Sequence, residues 1–158
     1  MSLAGKRIAI LAENYYEDLE LWYPLLRMRE AGAEVIVVGT GSSIYKSKHG
    51  YEVKADVAAN EIDAKQLDAI IVPGGWAPDY LRRYPTILKL IKDAFVQGKV
   101  IASVCHGASV LISAQVLKGK TVTCVKAIKD DVVNAGATFV DREVVRDGNL
   151  ITSRMPQD

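Results

Sequence analysis

VIASVCHGASVLISA, residues 100–114, is the stretch on which the fold turns. Val100 to Val104 is a short apolar run following Gly98 and predicts a strand, whereas Ala108 to Ala114 reads as a mostly apolar helical segment. Between them, Ser103-Val104-Cys105-His106-Gly107 has the G-x-S-x-G spacing of a nucleophile elbow, with Ser in the first place and Cys in the third. Such a turn lifts one side chain clear of the sheet while the new helix directs its free N–H groups toward it. The positive end of that helix favours a thiolate and, later, an oxyanion. Free cysteine is also among the most buried residue types, so the local pattern equally fits a Cys105 that fills a core gap.

The rest of the chain alternates strand and helix. Arg7 to Ala12 predicts a first strand, and Leu21, Leu25 and Met28 mark one face of a helix over 18–31, ended by Gly32. Glu34 to Val38 predicts a second strand. The more polar 41–56 segment, with Gly50 near its middle, accommodates a small hairpin. Ala69-Ile70-Ile71-Val72 is the continuous apolar run of a parallel strand covered on both faces, and Pro73-Gly74-Gly75 stops it. Pro85 opens a helix to Val96 with Leu88, Ile91 and Phe95 on one stripe. After the elbow come a strand at 120–125 and a short helix near 130–134. Asp147-Gly148-Asn149 then joins two strands, 143–146 and 150–153, as a hairpin. This order predicts an α/β fold, an open, mostly parallel sheet sandwiched by helices. Sites in that architecture lie beyond the carboxyl ends of the strands. Three loops meet that condition: 13–20, 73–79 and 105–107.

Composition narrows the class. A chain of 158 residues predicts one domain, and 49% hydrophobic against 25% charged residues is a globular balance. Twenty Lys plus Arg against 19 Asp plus Glu gives a net charge of +1 without a basic run, which points to no nucleic-acid partner. No apolar stretch approaches the roughly 18 residues of a membrane span, so no membrane partner is expected. The N-terminus lacks the apolar core of a signal peptide, and a cytoplasmic location is the expectation. Cys105 and Cys124 are too far apart for C-x-x-C chemistry. With His49 and His106 they form no zinc-module spacing, so no metal is expected. Cys124 falls in an apparent buried strand and is read as structural.

Four segments together carry a family resemblance: Glu17-Asp18-Leu19-Glu20, Val72-Pro73-Gly74-Gly75-Trp76-Ala77-Pro78-Asp79, Val104-Cys105-His106-Gly107 and Lys129-Asp130-Asp131. With His49-Gly50-Tyr51, 134–137 and 147–154 they span nearly the whole chain in order. The set resembles the PfpI/ThiJ family of the class I glutamine-amidotransferase-like superfamily, and the PfpI protease type most. The resemblance implies a flavodoxin-like sheet over 1–158 and a C-terminal helix that would begin where this sequence ends, at Asp158. It also implies Cys105 as nucleophile, Glu20 as the carboxyl group that contacts the sulfur, and His106 as base. The acid orienting His106 comes from another subunit in that type; its position here is Asp79, where the family's protease-like members usually carry Glu. Gly75 and His106 would supply oxyanion-hole N–H groups, with Gly74, Trp76 and Tyr16 around the pocket. His49 is assigned no catalytic role.

The implied activity is a cysteine-dependent hydrolase, either a peptidase or a glyoxalase/deglycase acting on small dicarbonyls and their adducts. The alternative is a non-catalytic, redox-sensing stress protein in which Cys105 oxidises to a sulfinate beside Glu20. Glutaminase chemistry is disfavoured because no His follows His106 to complete a downstream His-x-Glu. No phosphate loop is present and no organic cofactor is implied. A homodimer or hexamer is expected if Asp79 acts across an interface.

Overall fold

Three consecutive apolar runs become the centre of a seven-stranded sheet because each is covered on both faces. In the computed structural model, which describes residues 2–158, β1 (Arg7–Leu11), β2 (Glu34–Gly39) and β6 (Ala69–Val72) are almost wholly buried. The other strands are β3 (Ile44–Lys46), β4 (Glu52–Lys54), β5 (Val57–Ala58), β7 (Val100–Val104), β8 (Thr121–Val122), β9 (Thr138–Phe139), β10 (Val144–Asp147) and β11 (Leu150–Ser153). The helices are α1 (Asp18–Glu30), α2 (Ala77–Leu81), α3 (Pro85–Val96), α4 (Ala108–Ser113) and α5 (Lys129–Asn134).

The sheet order is β10-β11-β7-β6-β1-β2-β5, parallel throughout except for the terminal β10–β11 hairpin. This is the open, mostly parallel α/β sandwich that the alternation predicts, in the flavodoxin-like layout that the family resemblance implies. The chain leaves β1 in one direction to β2 and later returns on the other side as β6, so a crevice opens between the carboxyl ends of β1 and β6. The loops after these strands and after β7 converge there. On α3 the inward face is Ile87, Leu90, Ile91 and Ala94, with Leu88 and Phe95 packed at its margin. α1 buries Leu21 and Leu25 while Leu19, Tyr23 and Leu26 remain exposed.

Two differences from the sequence reading have local causes. The strand expected over 120–125 is only β8, which pairs with β9 outside the main sheet. Cys124 follows it and is buried by packing rather than by a ladder, its neighbour Thr123 donating its N–H to Thr152 Oγ1. The 73–79 segment reads as a loop because of Pro73 and the Gly pair. It contains the start of α2, which tolerates Pro78 because the first turn of a helix needs no N–H from it. The hairpin around Gly50 forms as expected.

Candidate active site

β7 ends at Val104, and the backbone of Cys105 swings to a φ of +58° before a single tight turn, Cys105–Gly107, enters α4. For a residue with a Cβ this conformation costs about 1–3 kcal/mol and survives only where the surroundings enforce it. The enforcement is steric: a Cβ on Gly107 would lie 2.4 Å from the carbonyl oxygen of Val72, so the elbow is pressed against the end of β6. The Cys105 sulfur faces Nδ1 of His106 at 3.4 Å and also receives the backbone N–H of His106.

Glu20 reaches the same point from α1. Glu17 caps that helix by accepting the N–H of Leu19 at 3.3 Å, which fixes the first turn and sends the Glu20 side chain inward to 2% exposure. Its Oε2 accepts the N–H of Gly74 at 2.7 Å. Gly74 is the spacer between the two groups: a Cβ there would sit 2.4 Å from Glu20 Oε2 and 2.9 Å from Cys105 Cβ. Oε1 is buried without a hydrogen-bond partner. The thiol bears on the carboxyl's ionisation as a hydrogen-bonding neighbour, favouring the carboxylate and holding its own proton the more tightly.

Burial pushes the Glu20 carboxyl up to about 7, against the Gly74 N–H that favours its charge, and the Glu17 charge adds to the rise. The Cys105 thiol is pushed up to about 12, first by burial and then by the Glu20 charge beside it. Two acids that repel each other this strongly ionise as a pair. Near pH 7 the pair loses one proton; the second stays, shared between sulfur and carboxyl, into strongly alkaline solution. Burial also holds His106 below the ordinary imidazole range, against the opposing Asp79 charge, so the ring is neutral at pH 7 and able to accept a proton.

A cavity of about 360 Å³ opens on this face, lined among others by Gly75, Trp76, Asp79, Tyr80, Arg82 and His106. Gly75 sits where Glu17 N–H donates to Gly74 O and Trp76 N–H donates to Tyr15 O. Its own N–H lies outside that pairing. Trp76 is 67% exposed at the rim. Asp79 lines the cavity but is mostly exposed and pairs with Arg83 at 3.8 Å rather than with His106. Tyr16 does not wall the cavity. Its side chain is fully buried, its hydroxyl donating to the Tyr51 carbonyl at 2.6 Å and accepting from Trp22 Nε1 at 3.2 Å. A larger cavity of about 400 Å³ lies on the other side of Glu20, between Leu19, Tyr23, Pro24, Val104 and Met155. It lacks His106 and the Gly75 segment, so the smaller one is the candidate substrate side.

His49 lies with Glu17 and Asp18, their donor atoms within 4.8 Å of one another, the set a cation would use. Each already has a protein partner: Asp18 accepts from Ser47 Oγ at 2.7 Å and lies 2.6 Å from His49 Nδ1, and Glu17 pairs with Lys48. Tyr80 and Arg82 also line the cavity, and the sequence reading gave neither a part in the site. Their signal was their place four and six positions beyond Trp76, on α2 and at its C-cap, an element that was itself missed.

A model of the DJ-1/PfpI family matches residues 6–158. The chain is 46% identical over 152 residues to a deglycase of Thermococcus kodakarensis, covering 96% of this chain and 92% of that protein. It is 40% identical over 157 residues to protein/nucleic acid deglycase 2 of Escherichia coli, covering 98% and 91%. Among solved structures it resembles a two-domain protein of Anabaena variabilis with DJ-1/ThiJ/PfpI-like and ferritin-like domains. There the TM-score is 0.94 and the identity 44%, over 96% of this chain and 44% of that one.

Proposed function

This chain belongs to the DJ-1/PfpI family, and from that premise we propose that it is a cysteine-dependent hydrolase of the PfpI type. Its nucleophile is Cys105, and its substrates are reactive dicarbonyls and the adducts they form on amines and guanidines. The observation that carries the reading is the meeting of the Cys105 sulfur with His106 Nδ1 at 3.4 Å beside a buried Glu20 that Gly74 holds at 2.7 Å.

In this reaction the sulfur adds to the electrophilic carbon, an S–C bond forms, and the electron pair moves to oxygen. The N–H groups of Gly75 and His106 face that oxygen as its charge develops. An adduct gives up its amine as the sulfur takes its place, so both substrates reach a hemithioacetal. Neutral His106 takes the proton from the carbon that bears sulfur and returns it to the neighbouring carbonyl carbon. This turns the hemithioacetal into a 2-hydroxyacyl thioester without an external oxidant, and water then cleaves the sulfur–carbon bond to release the hydroxy acid and the thiol. These steps need no cofactor. The site of action is proposed to be the cytoplasm; among the described residues, no helix is long and apolar enough to cross a membrane. Since Asp79 points to solvent, its proposed part in orienting His106 is played in a homo-oligomer, across a contact with a second copy.

The test incubates the protein with methylglyoxal and with a methylglyoxal-treated N-acetyl amino acid, following lactate production and amine release. Wild-type turnover abolished in Cys105→Ser and intact in Cys124→Ser supports the proposal; equal rates in wild type and Cys105→Ser refute it. A labelled peptide in parallel separates a peptidase from a deglycase, since only a peptidase releases new termini.

A further inference from the structure

The charged groups converging on Cys105 are mostly acidic. Glu20 lies against the sulfur, Glu17 acts on Glu20, and Asp79 acts on His106. Among the described residues, Lys48 is the cation whose charge reaches Glu20, Cys105 and His106 alike. The Lys48 ammonium ion pairs at 3.3 Å with Oε2 of Glu17, whose side chain is 8% exposed. Backbone pairing places this contact beside the sulfur. Lys48 N–H donates to Tyr16 O at 3.0 Å, and Glu17 N–H donates to Gly74 O at 3.2 Å. Tyr16 bridges to Ser47 on one side and Gly75 on the other. The 47–48, 16–17 and 74–75 segments thus lie edge to edge, and Gly74 at the inner edge touches both Glu20 and Cys105.

We propose that Lys48 is a positioning residue of this site: through its ion pair with Glu17 it supplies the positive charge that permits the Cys105–Glu20 pair to carry a negative charge. The inference rests on Cys105 being the nucleophile. Without Lys48, Glu17 would keep its charge with no counterion and press on Glu20, so both members of the pair would hold their protons to higher pH. The field of Lys48 favours the charged forms of Glu20 and Cys105 and disfavours protonation of His106, the direction that a thiolate attack with a neutral base requires. A lysine suits the role because a compact ammonium on a flexible stem can stay with Glu17 while its remaining donors reach solvent, the side chain being 38% exposed.

The experiment is the rate of iodoacetamide alkylation of Cys105 against pH, read by peptide mass spectrometry, for wild type, Lys48→Met, Lys48→Gln and Lys48→Arg. Buried Cys124 reports the fold in every sample. The expected result is a rise of about one pH unit in the lowest midpoint of both neutral variants, seen as a roughly fivefold to tenfold slower reaction between about pH 6 and 7. Lys48→Arg should return to the wild-type profile. Superimposable profiles overturn the proposal, as does an equal shift in Lys48→Arg, which would mean that shape and not charge is at work. If wild-type Cys105 reacts no faster than Cys124, the nucleophile reading itself fails and takes this inference with it. The wild-type arm therefore judges the first claim and the variant arms judge the second.

Discussion

Replacing Glu20 with Gln should make the protein more stable and less reactive, and both effects can be read from one group. The Glu20 carboxyl is raised from 4.5 in the unfolded chain to about 7 in the fold, chiefly by burial. The native state thus binds this proton more tightly than the unfolded one. Its favourable contribution is complete below pH 4.5 and is lost as pH rises through 7, a difference of about 3 kcal/mol by pH 8. Gln keeps an acceptor for the Gly74 N–H but has no charge to bury. Urea unfolding should therefore show wild type and Glu20→Gln equal at pH 4 and the variant more stable at pH 8 by about 3 kcal/mol, or roughly 10 °C in Tm. Over the same range, the step near pH 7 in Cys105 alkylation should vanish. It should be replaced by a single ionisation above the ordinary thiol value, because the burial of the sulfur remains. A stability difference that is the same at pH 4 and pH 8, or a step near pH 7 that survives in Glu20→Gln, would refute the shared-proton description.

Gly74→Ala forces a Cβ to within 2.4 Å of Glu20 Oε2, so the carboxyl must retreat by about 1 Å. Overpacking of this kind costs about 1–3 kcal/mol, and a displacement of that size should lower kcat/KM on the order of 100-fold; thermal melting and initial rates check both. Tyr16→Phe removes the hydroxyl shared by the Tyr51 carbonyl and Trp22 Nε1. It should cost about 1–3 kcal/mol in urea unfolding with kcat and KM unchanged, whereas altered kinetics would return Tyr16 to the pocket wall. Trp76→Ala should leave stability within about 0.5 kcal/mol, since the ring is largely exposed. It should raise KM more than it lowers kcat if the ring lies against substrate.

The elbow was legible because its chemistry is local. An apolar strand, a Gly two places after Cys105 and an apolar helix lie within fifteen residues, and the Val72 contact explains why that Gly is needed. Glu20 was different. On its own it reads as an acidic residue in the first turn of a helix, and only the family resemblance, or the approach of Gly74 across 54 positions of sequence, marks it as part of the site. Tyr16 shows where pattern failed: in Tyr15-Tyr16 one ring is exposed and the other fully buried, and nothing short of the bridges to Ser47 and Gly75 tells which. Lys48 stands in the sequence as one of 20 basic residues that form no run. Its significance depends on a partner 31 positions away on the cap of α1.

The same arrangement that destabilises the resting site favours the reaction. Before attack, a single negative charge is confined between a buried sulfur and a buried carboxyl; burial raises both groups' affinity for the proton, and the Glu20 charge raises that of the sulfur further. As the sulfur bonds to carbon it gives up its charge, and the repulsion between a thiolate and a Glu20 carboxylate disappears. The carboxyl then ionises against its burial and the Glu17 charge alone, releasing its proton toward the developing alkoxide or the departing amine. This relief exists in the transition state and not in the free enzyme, so it lowers the barrier rather than merely tightening substrate binding. The left-handed backbone of Cys105 is strain of the same kind, held in place by the contact at Gly107. A variant that relaxes either feature should gain stability and lose rate together, and that linked change separates a working nucleophile from a cysteine that only fills space.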